Sequence, residues 1–227
     1  MKMLLLWMLL PGKWLKMAHN ELDDFMAAVV SKLEEYEGRI ADLEKIEALT
    51  LPFWDDIQVS ISQLRIPPSQ APTWRNWNYG VSAGVNYSVL GFDDNEYVDL
   101  FIQSSHAMKL STALDYHVHW SLPSNSSGDR IRFQVDVIAA GIEGTFAVPT
   151  GSPFVVEYIL DGTESGKHKL LDLAAVPGVN TTVSTAYIMK LTRLVATANN
   201  YAPEVYVFFT DGHYQGDDLG SRLEDSK

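Results

Sequence analysis

The sequence predicts a mainly β protein, with a jelly-roll or β-sandwich head preceded by an N-terminal α-helical segment that forms a short coiled coil. Apolar residues between Leu22 and Leu43 recur at alternating steps of four and three, which is the heptad spacing of a helix with one apolar seam. From Tyr79 onward, short apolar runs rich in β-branched and aromatic residues alternate with turn-forming clusters, a pattern typical of strands. The predicted domains are an anchor (1–20), a helix (21–50), a linker with a possible strand (51–78) and the β head (79–227).

The N-terminus carries an unbroken apolar run from Met3 to Leu10. This run is far shorter than the roughly 20 residues that a membrane-spanning helix needs, so we expect no stable membrane insertion. The sequence "PGKWLK" follows it, where a signal peptide would have a cleavage site between small residues. We therefore expect an apolar anchor that docks into another protein, with a cleaved signal peptide and an interfacial membrane anchor as alternatives. The predicted anchor residues are Leu4, Leu5, Leu6, Trp7, Leu9, Leu10 and Trp14.

The helix is predicted to form a trimeric stalk. The seam residues are Leu22, Met26, Val29, Leu33, Tyr36, Ile40 and Leu43. With Met26 at position a, the g positions Lys32 and Arg39 each precede a glutamate at e by five residues, as in parallel coiled coils. Further apolar residues flank the seam, and this wider face suits three strands better than two. The alternative is a single amphipathic helix lying on its own domain, and Gly38 favours it because a glycine there costs about 1 kcal/mol relative to alanine.

The predicted head contains eight or nine strands and no obvious crossover helix. The clearest strands are "EYVDLFIQ", "DYHVHWSL", "DRIRFQVDVIAA", "SPFVVEYIL", "KHKLLDL" and "PEVYVFFTDGHY". The run "AYIMKLTRLVAT" is ambiguous between strand and helix, and "IQVSISQLRI" in the linker is a possible strand. Such a series of short strands separated by turns is typical of a sandwich or jelly roll.

The net charge argues against a nucleic-acid partner, and the composition excludes cysteine chemistry. The formal charge of −12 would repel phosphate backbones, so we expect no nucleic-acid partner. Because the chain has no cysteine, disulfides, thiolate nucleophiles and sulfur-ligated metals are excluded.

His117 and His119 flank one valine in "DYHVHWSL", so on a strand both side chains point to the same face. A cupin metal site would need further ligands, but no acidic residue follows until Asp129, and Phe154 stands where a later histidine is required. If the strand ran along a three-fold axis, three chains would form an axial six-histidine site. We expect neither metal nor cofactor. The preferred interpretation is a pair of structural histidines inside the sandwich, next to Trp120 and bonded to backbone or Asp115.

No catalytic motif is recognisable, so we expect a non-enzymatic protein. The acidic turn "GFDDNEYVD" is interpreted as solvated rather than as a calcium loop. A glycan-binding head is an alternative, in which exposed aromatic residues such as Trp74, Trp77, Tyr79 and Tyr201 stack on sugars, although core or interface packing is the preferred interpretation for each of them. A depolymerising enzyme with two facing carboxylates is a further alternative.

The block from "EYVDLFIQSSHAMKL" through "HVHW" to "GIEGTF", together with the terminal "DGHYQGDDLGSRLEDSK", resembles a family of tailed-bacteriophage virion proteins. The resemblance covers about Tyr79 to Lys227 and rests on two blocks in the same order. The matching residues are His106, His117, His119, Trp120, His213, Tyr214, Gly220, Ser221 and Arg222. Ser105 stands in place of the proline that the family has before the first histidine.

The resemblance implies a structural protein of the virion, with a trimeric β domain on an N-terminal attachment segment. We therefore expect a homotrimer that docks on other virion structural proteins through its N-terminus and displays a β-sandwich head. A tail fibre, a spike and a capsid-decoration knob all fit this description. The alternatives are a head that binds a host-surface receptor or glycan and, with less support, a metal-binding cupin-like protein.

Overall fold

The computed structural model describes residues 14–50, 53–80, 85–178 and 182–217, and the chain divides into two units at Thr50. The first unit contains helix α1 (Trp14–Thr50), whose side chains are described for residues 21–43. Its 37 residues correspond to a length of about 55 Å at about 1.5 Å per residue. The helix begins seven residues before the predicted boundary at 21 and continues through Gly38.

The predicted seam lies on one face of α1, and that face is exposed. Six of its seven residues are 52–63% exposed, and Val29 is half-buried. Phe25 and Val30, which flank the seam, are also exposed. Within the first unit, this continuous apolar face is therefore left unburied.

The second unit is the β head. Its described strands are β1 (Phe53–Ser60), β2 (Thr73–Trp77), β3 (Tyr87–Phe92), β4 (Tyr97–Gln103), β5 (Leu114–Ser121), β6 (Ser127–Ala140), β7 (Phe154–Asp161), β8 (Lys169–Val176), β9 (Ala186–Leu194) and β10 (Val205–Gly216). A short 3-10 helix (Ile61–Gln63) follows β1. The run that was ambiguous between helix and strand is β9, and the possible strand of the linker overlaps β1.

The strands form two antiparallel sheets with jelly-roll topology. The first sheet has the order β2-β3-β10-β5-β8, and the second has the order β4-β9-β6-β7. The eight strands from β3 to β10 are thus divided between two four-stranded layers, as in a jelly roll. The predicted fold class is confirmed. The head begins earlier than the predicted boundary at Tyr79, because β1 and β2 both belong to the first sheet.

Strand β10 holds the first sheet together along both of its edges. On one edge it pairs with β5, and on the other it pairs with two strands in succession. Val205–Val207 lie against β3, and Phe209–Gly216 lie against β1. Strand β1 therefore extends the first sheet along the second half of β10, which β3 does not reach.

The core lies between the two sheets. Inward positions alternate along each strand, so Tyr116, Val118 and Trp120 of β5 are fully buried against residues of the second sheet such as Phe133. The residues of β5 between them must point to the opposite face of the first sheet. This alternation decides where His117 and His119 lie.

Arg193 on β9 is a fully buried charge that links the two sheets. Its guanidinium donates to the carbonyl oxygens of Phe92 (2.6 Å), Pro203 (2.8 Å) and Tyr201, which lie at the end of β3 and just before β10. Asp94 supplies a carboxylate 3.4 Å from Nη2. Burial lowers the pKa of Arg193, and the nearby carboxylates oppose this effect. The guanidinium is therefore buried as a charge that is surrounded by acceptors.

We expect the substitution Arg193→Met to lower the free energy of unfolding by about 3–5 kcal/mol, because three buried carbonyls and Asp94 would lose their donor. Urea denaturation followed by fluorescence measures this change. Arg75→Met is the matched control, since Arg75 makes an ion pair with Glu204 (2.5 Å) while remaining 43% exposed. Its loss should cost at most about 1 kcal/mol. Equal losses in the two variants would contradict the proposed role of Arg193.

Candidate functional site

The candidate site is a cluster of histidines and aspartates on the face of the first sheet that points away from the core. His117 and His119 lie there because Tyr116, Val118 and Trp120 take the inward positions of β5. Both imidazoles are nevertheless 7–8% exposed. Neighbouring side chains on the same face cover them, rather than the sandwich interior. The prediction that they point the same way is confirmed, and the prediction that they lie inside the sandwich beside Trp120 is wrong.

Strand β10 contributes the central carboxylate. Asp211 lies opposite His117 in the β5–β10 pairing, and His213 lies opposite Asp115. Asp211 and His213 are two residues apart, so they share the outward face just as His117 and His119 do. A register shift between Val207 and Phe209 precedes them in β10. Val205 and Val207, before the shift, point into the core. After the shift the alternation changes by one residue, so Asp211 and His213 point outward.

Asp211 contacts three imidazoles. Its Oδ2 lies 3.1 Å from Nε2 of His119 and 3.4 Å from Nε2 of His213. Its Oδ1 lies 3.4 Å from Nδ1 of His117. The Asp211 side chain is 7% exposed, so these contacts are screened little by water.

Two further carboxylates contact these imidazoles. Nε2 of His117 lies 3.1 Å from Asp172 on β8, and Nε2 of His213 lies 3.1 Å from Asp56 on β1. Asp172 is mostly exposed and Asp56 is more than half exposed. The cluster thus takes side chains from β1, β5, β8 and β10, and it changes from buried at Asp211 to solvent-facing at its edges.

His119 occupies the most enclosed side of the cluster. The ring of Phe209 stacks on it at 4.0 Å between centroids and 20° between planes. Burial lowers the pKa of His119, although Asp211 opposes this effect, so the neutral ring is favoured. Its Nε2–H then donates to Asp211, and its Nδ1 accepts from Nε2–H of His168 at 2.7 Å. These two consecutive hydrogen bonds fix the orientation of the Asp211 carboxylate.

Two buried atoms at the centre of the cluster have no hydrogen-bond partner. They are Nδ1 of His117 and Oδ1 of Asp211, and they face each other at 3.4 Å. Their separation and geometry do not make a hydrogen bond. A buried carboxylate oxygen and a buried imidazole nitrogen are costly to leave without a partner.

An open groove of about 510 Å³ lies over the cluster. Its lining includes Asp115, His117, Asp172 and His213, and Trp54 of β1 stands at its edge with 65% of its surface exposed. This volume falls within the range of small-ligand pockets, which is about 300–1,000 Å³. The groove combines one aromatic face with several polar groups.

The sequence identified only part of this site. His117, His119 and His213 were among the residues that carry the phage resemblance, and they meet here. Asp172 and Asp211 are the carboxylates that contact His117, rather than the predicted Asp115. The sequence did contain a signal for β10, since Asp211 and His213 repeat the alternate spacing of the His-x-His pair.

Other sequence-predicted residues lie elsewhere. His106 lies 2.7 Å from Ser184, apart from the cluster. Trp74 and Tyr79 are exposed, as a sugar-stacking role would need, and Trp77 is half-buried. Tyr201 is buried in the core, and its hydroxyl donates to the carbonyl oxygen of Ser124, which agrees with the preferred interpretation of core packing and excludes sugar stacking for this residue.

The N-terminal and C-terminal predictions fall mostly outside the described residues. Leu4, Leu5, Leu6, Trp7, Leu9 and Leu10 of the anchor and Gly220, Ser221 and Arg222 of the terminal block lie there. Trp14 is the first residue of α1. Among the described helices, none is long and apolar enough to cross a membrane.

Comparison with known proteins gives a limited result. No protein-family model and no curated protein matches the chain. A family 35 carbohydrate-binding module from Clostridium thermocellum is 8% identical, with a TM-score of 0.37 over 70% of this chain and 97% of that one. A xylan-binding domain from CBM 22 is 11% identical, with a TM-score of 0.35 over 71% and 93% of the two chains. The enzymatically active domain of tailspike protein 4 from bacteriophage CBA120 is 10% identical, with a TM-score of 0.32 over 70% and 19%. These weak likenesses say nothing about function.

We expect Asp211→Ala to lower the free energy of unfolding by about 1–3 kcal/mol in chelator-treated, metal-free buffer, because the buried Nε2–H of His119 would lose its acceptor. Chemical denaturation at pH 7 measures this change. Asp115→Ala is the control on the same face, and its effect should stay within about 0.5 kcal/mol. A stabilised Asp211→Ala variant would show that the buried carboxylate is a net cost to the metal-free head.

Proposed function

We propose that this protein is a non-enzymatic structural protein of a bacteriophage virion. Three chains associate through α1 into a parallel stalk, the N-terminal segment docks on other virion structural proteins, and the jelly-roll heads are displayed. The exposed heptad seam of α1 is the observation that carries the trimer. The virion location is supported by the resemblance of the His-x-His-Trp and terminal blocks.

The seam supports self-association because a single helix does not bury its own apolar face. Leucine, isoleucine and methionine side chains at a and d positions bury their surface in a coiled coil, at about 25 cal/mol per Å² removed from water. Leu33 and Ile40 occupy successive a positions and are each 55% exposed. Further copies of α1 complement this seam because each helix carries the same repeat.

Charges beside the seam support a parallel arrangement in register. Lys32 and Arg39 at g positions face glutamates at the e positions of the next helix when the chains run parallel. Lys32 also forms an ion pair with Glu35 within its own helix, which it can exchange for the interhelical pair. Phe25 and Val30 widen the apolar face beyond a and d, and a three-stranded bundle covers a wider face than a dimer.

The double substitution Leu33→Asp/Ile40→Asp should convert a trimer to a monomer, since six carboxylates would otherwise be buried in the seam. Light scattering coupled to size-exclusion chromatography measures the mass. The matched control is Ser31→Asp/Gly38→Asp, which introduces the same charges at f positions on the opposite side of the helix, where a side chain at Gly38 meets nothing within 4 Å. The control should remain trimeric. A monomeric wild-type chain, or two variants with the same mass, would contradict the stalk.

We further propose that the head binds a glycan on the host surface through the groove. The specific observation is Trp54, an indole 65% exposed at the edge of a groove whose other lining groups include carboxylates and imidazoles. An exposed aromatic face stacks on the C–H face of a sugar ring, while Asp115, Asp172 and His213 can bond its hydroxyls. This division between one aromatic platform and several polar groups is suited to carbohydrates.

Trp54→Ala should weaken binding to the best ligand of a bacterial surface-glycan array by roughly tenfold or more, as expected for an aromatic anchor. Trp74→Ala is the matched control, because Trp74 is 48% exposed on β2 and does not line the groove. Its affinity should be unchanged. Loss of binding in Trp74→Ala with retention in Trp54→Ala would place a glycan site outside the groove.

A further inference from the structure

We propose that His117, Asp211 and His213 bind one divalent transition-metal ion in each head, at the floor of the groove. This inference is independent of the proposed function, because all three ligands come from the same chain and require neither a trimer nor a virion.

The separations between the donor atoms fit a shared ion. One ligand atom from each of the three residues lies within 4.8 Å of the other two. Asp211 is 3.4 Å from His117 through Oδ1 and 3.4 Å from His213 through Oδ2. Zinc–nitrogen and zinc–oxygen bonds of about 2.1 Å place two tetrahedral ligands about 3.4 Å apart. The two short separations involve different oxygens of Asp211, so an ion that takes one ligand atom from each residue requires a small adjustment of the side chains.

Two unpartnered atoms mark the position that the ion would take. When His117 carries its ring proton on Nε2, which lies 3.1 Å from Asp172, Nδ1 carries a lone pair. That lone pair faces the unpartnered Oδ1 of Asp211 in a buried position, so two acceptors oppose each other. Either a proton or a metal ion must lie between them. A metal ion also satisfies Nε2 of His213, which lies within 3.4 Å of both Asp56 and Asp211.

The surrounding residues position these ligands as they do in known metal centres. Asp172 lies 3.1 Å from the distal nitrogen of His117, the position that a carboxylate takes beside a metal-bound histidine. His119 donates to Asp211 and in turn accepts from His168, so the central carboxylate is oriented too. Asp56, 3.1 Å from Nε2 of His213, is placed to supply a fourth ligand.

The donor set selects the class of ion. Two imidazoles and a carboxylate suit Zn²⁺, Fe²⁺, Co²⁺ or Ni²⁺, whereas Ca²⁺ and Mg²⁺ prefer all-oxygen sites. Three protein ligands leave at least one position open to water or to a ligand in the groove. His213 is 36% exposed, so this open side faces the solvent.

The test uses tag-free, full-length protein treated with a chelator and then titrated calorimetrically with Zn²⁺. We expect one Zn²⁺ per chain with a Kd of about 1 µM or tighter, and no comparable binding of Ca²⁺. Substitution with Co²⁺ should give visible absorption bands of a four- or five-coordinate site. His213→Gln should weaken Zn²⁺ binding at least 100-fold, and Asp172→Asn should weaken it roughly 10- to 100-fold.

His106→Gln is the matched control, because His106 bonds to Ser184 away from the cluster and its loss should leave Zn²⁺ affinity unchanged. Circular dichroism confirms that the variants fold, and the Co²⁺ spectrum of the wild type gives a readout that needs no variant. The proposal is overturned if the wild type takes up no Zn²⁺ at about 100 µM, or if His213→Gln retains its affinity. A stoichiometry of one ion per three chains would also overturn it, in favour of an axial six-histidine site.

Discussion

Strand β10 is the constraint on which the head depends, because it pairs with β1, β3 and β5 and must satisfy two faces at once. Its inward residues, such as Val205, Val207 and Tyr214, fill the core, and the outward residues between them include Asp211 and His213. A shift of β10 by one residue would exchange the two sets, burying charges in the core and exposing its apolar residues. The packing of the core therefore fixes the geometry of the site on the other face.

Arg193 and Asp211 are two of the charged groups that are buried among the described residues of the head, and their surroundings differ. The Nη atoms of Arg193 donate to carbonyl oxygens and lie beside Asp94, so its charge helps to join the sheets, although its Nε has no hydrogen-bond partner. Asp211 lies among imidazoles but keeps one oxygen opposite a bare ring nitrogen of His117. Bonds from a buried guanidinium to several carbonyls are consistent with a structural role. At Asp211 a carboxylate oxygen and a ring nitrogen face each other without a hydrogen bond, and the proposed cation would lie between them.

Local sequence patterns were enough to predict much of the fold but only about half of the candidate site. Heptad spacing and period-two runs are properties of neighbouring residues, so α1 and most strands of the head were predictable. Strands β1 and β2 were assigned to a linker because they flank a proline-rich segment, although pairing with β10 and β3 makes them strands. The partner of His119 lies 92 residues further along the chain. Only the sheet register brings these residues together, and a single sequence does not reveal that register.

The strong negative charge of the chain affects both the proposed trimer and the proposed metal site. In the proposed trimer, three chains of −12 each would repel one another, and this repulsion would oppose association. Physiological salt screens charges beyond about 8 Å, so the apolar seam of α1 has to overcome mainly local repulsion. Within the head, Asp56, Asp172 and Asp211 are too close together for salt to screen fully. A divalent cation coordinated by His117, Asp211 and His213 would neutralise that local charge directly.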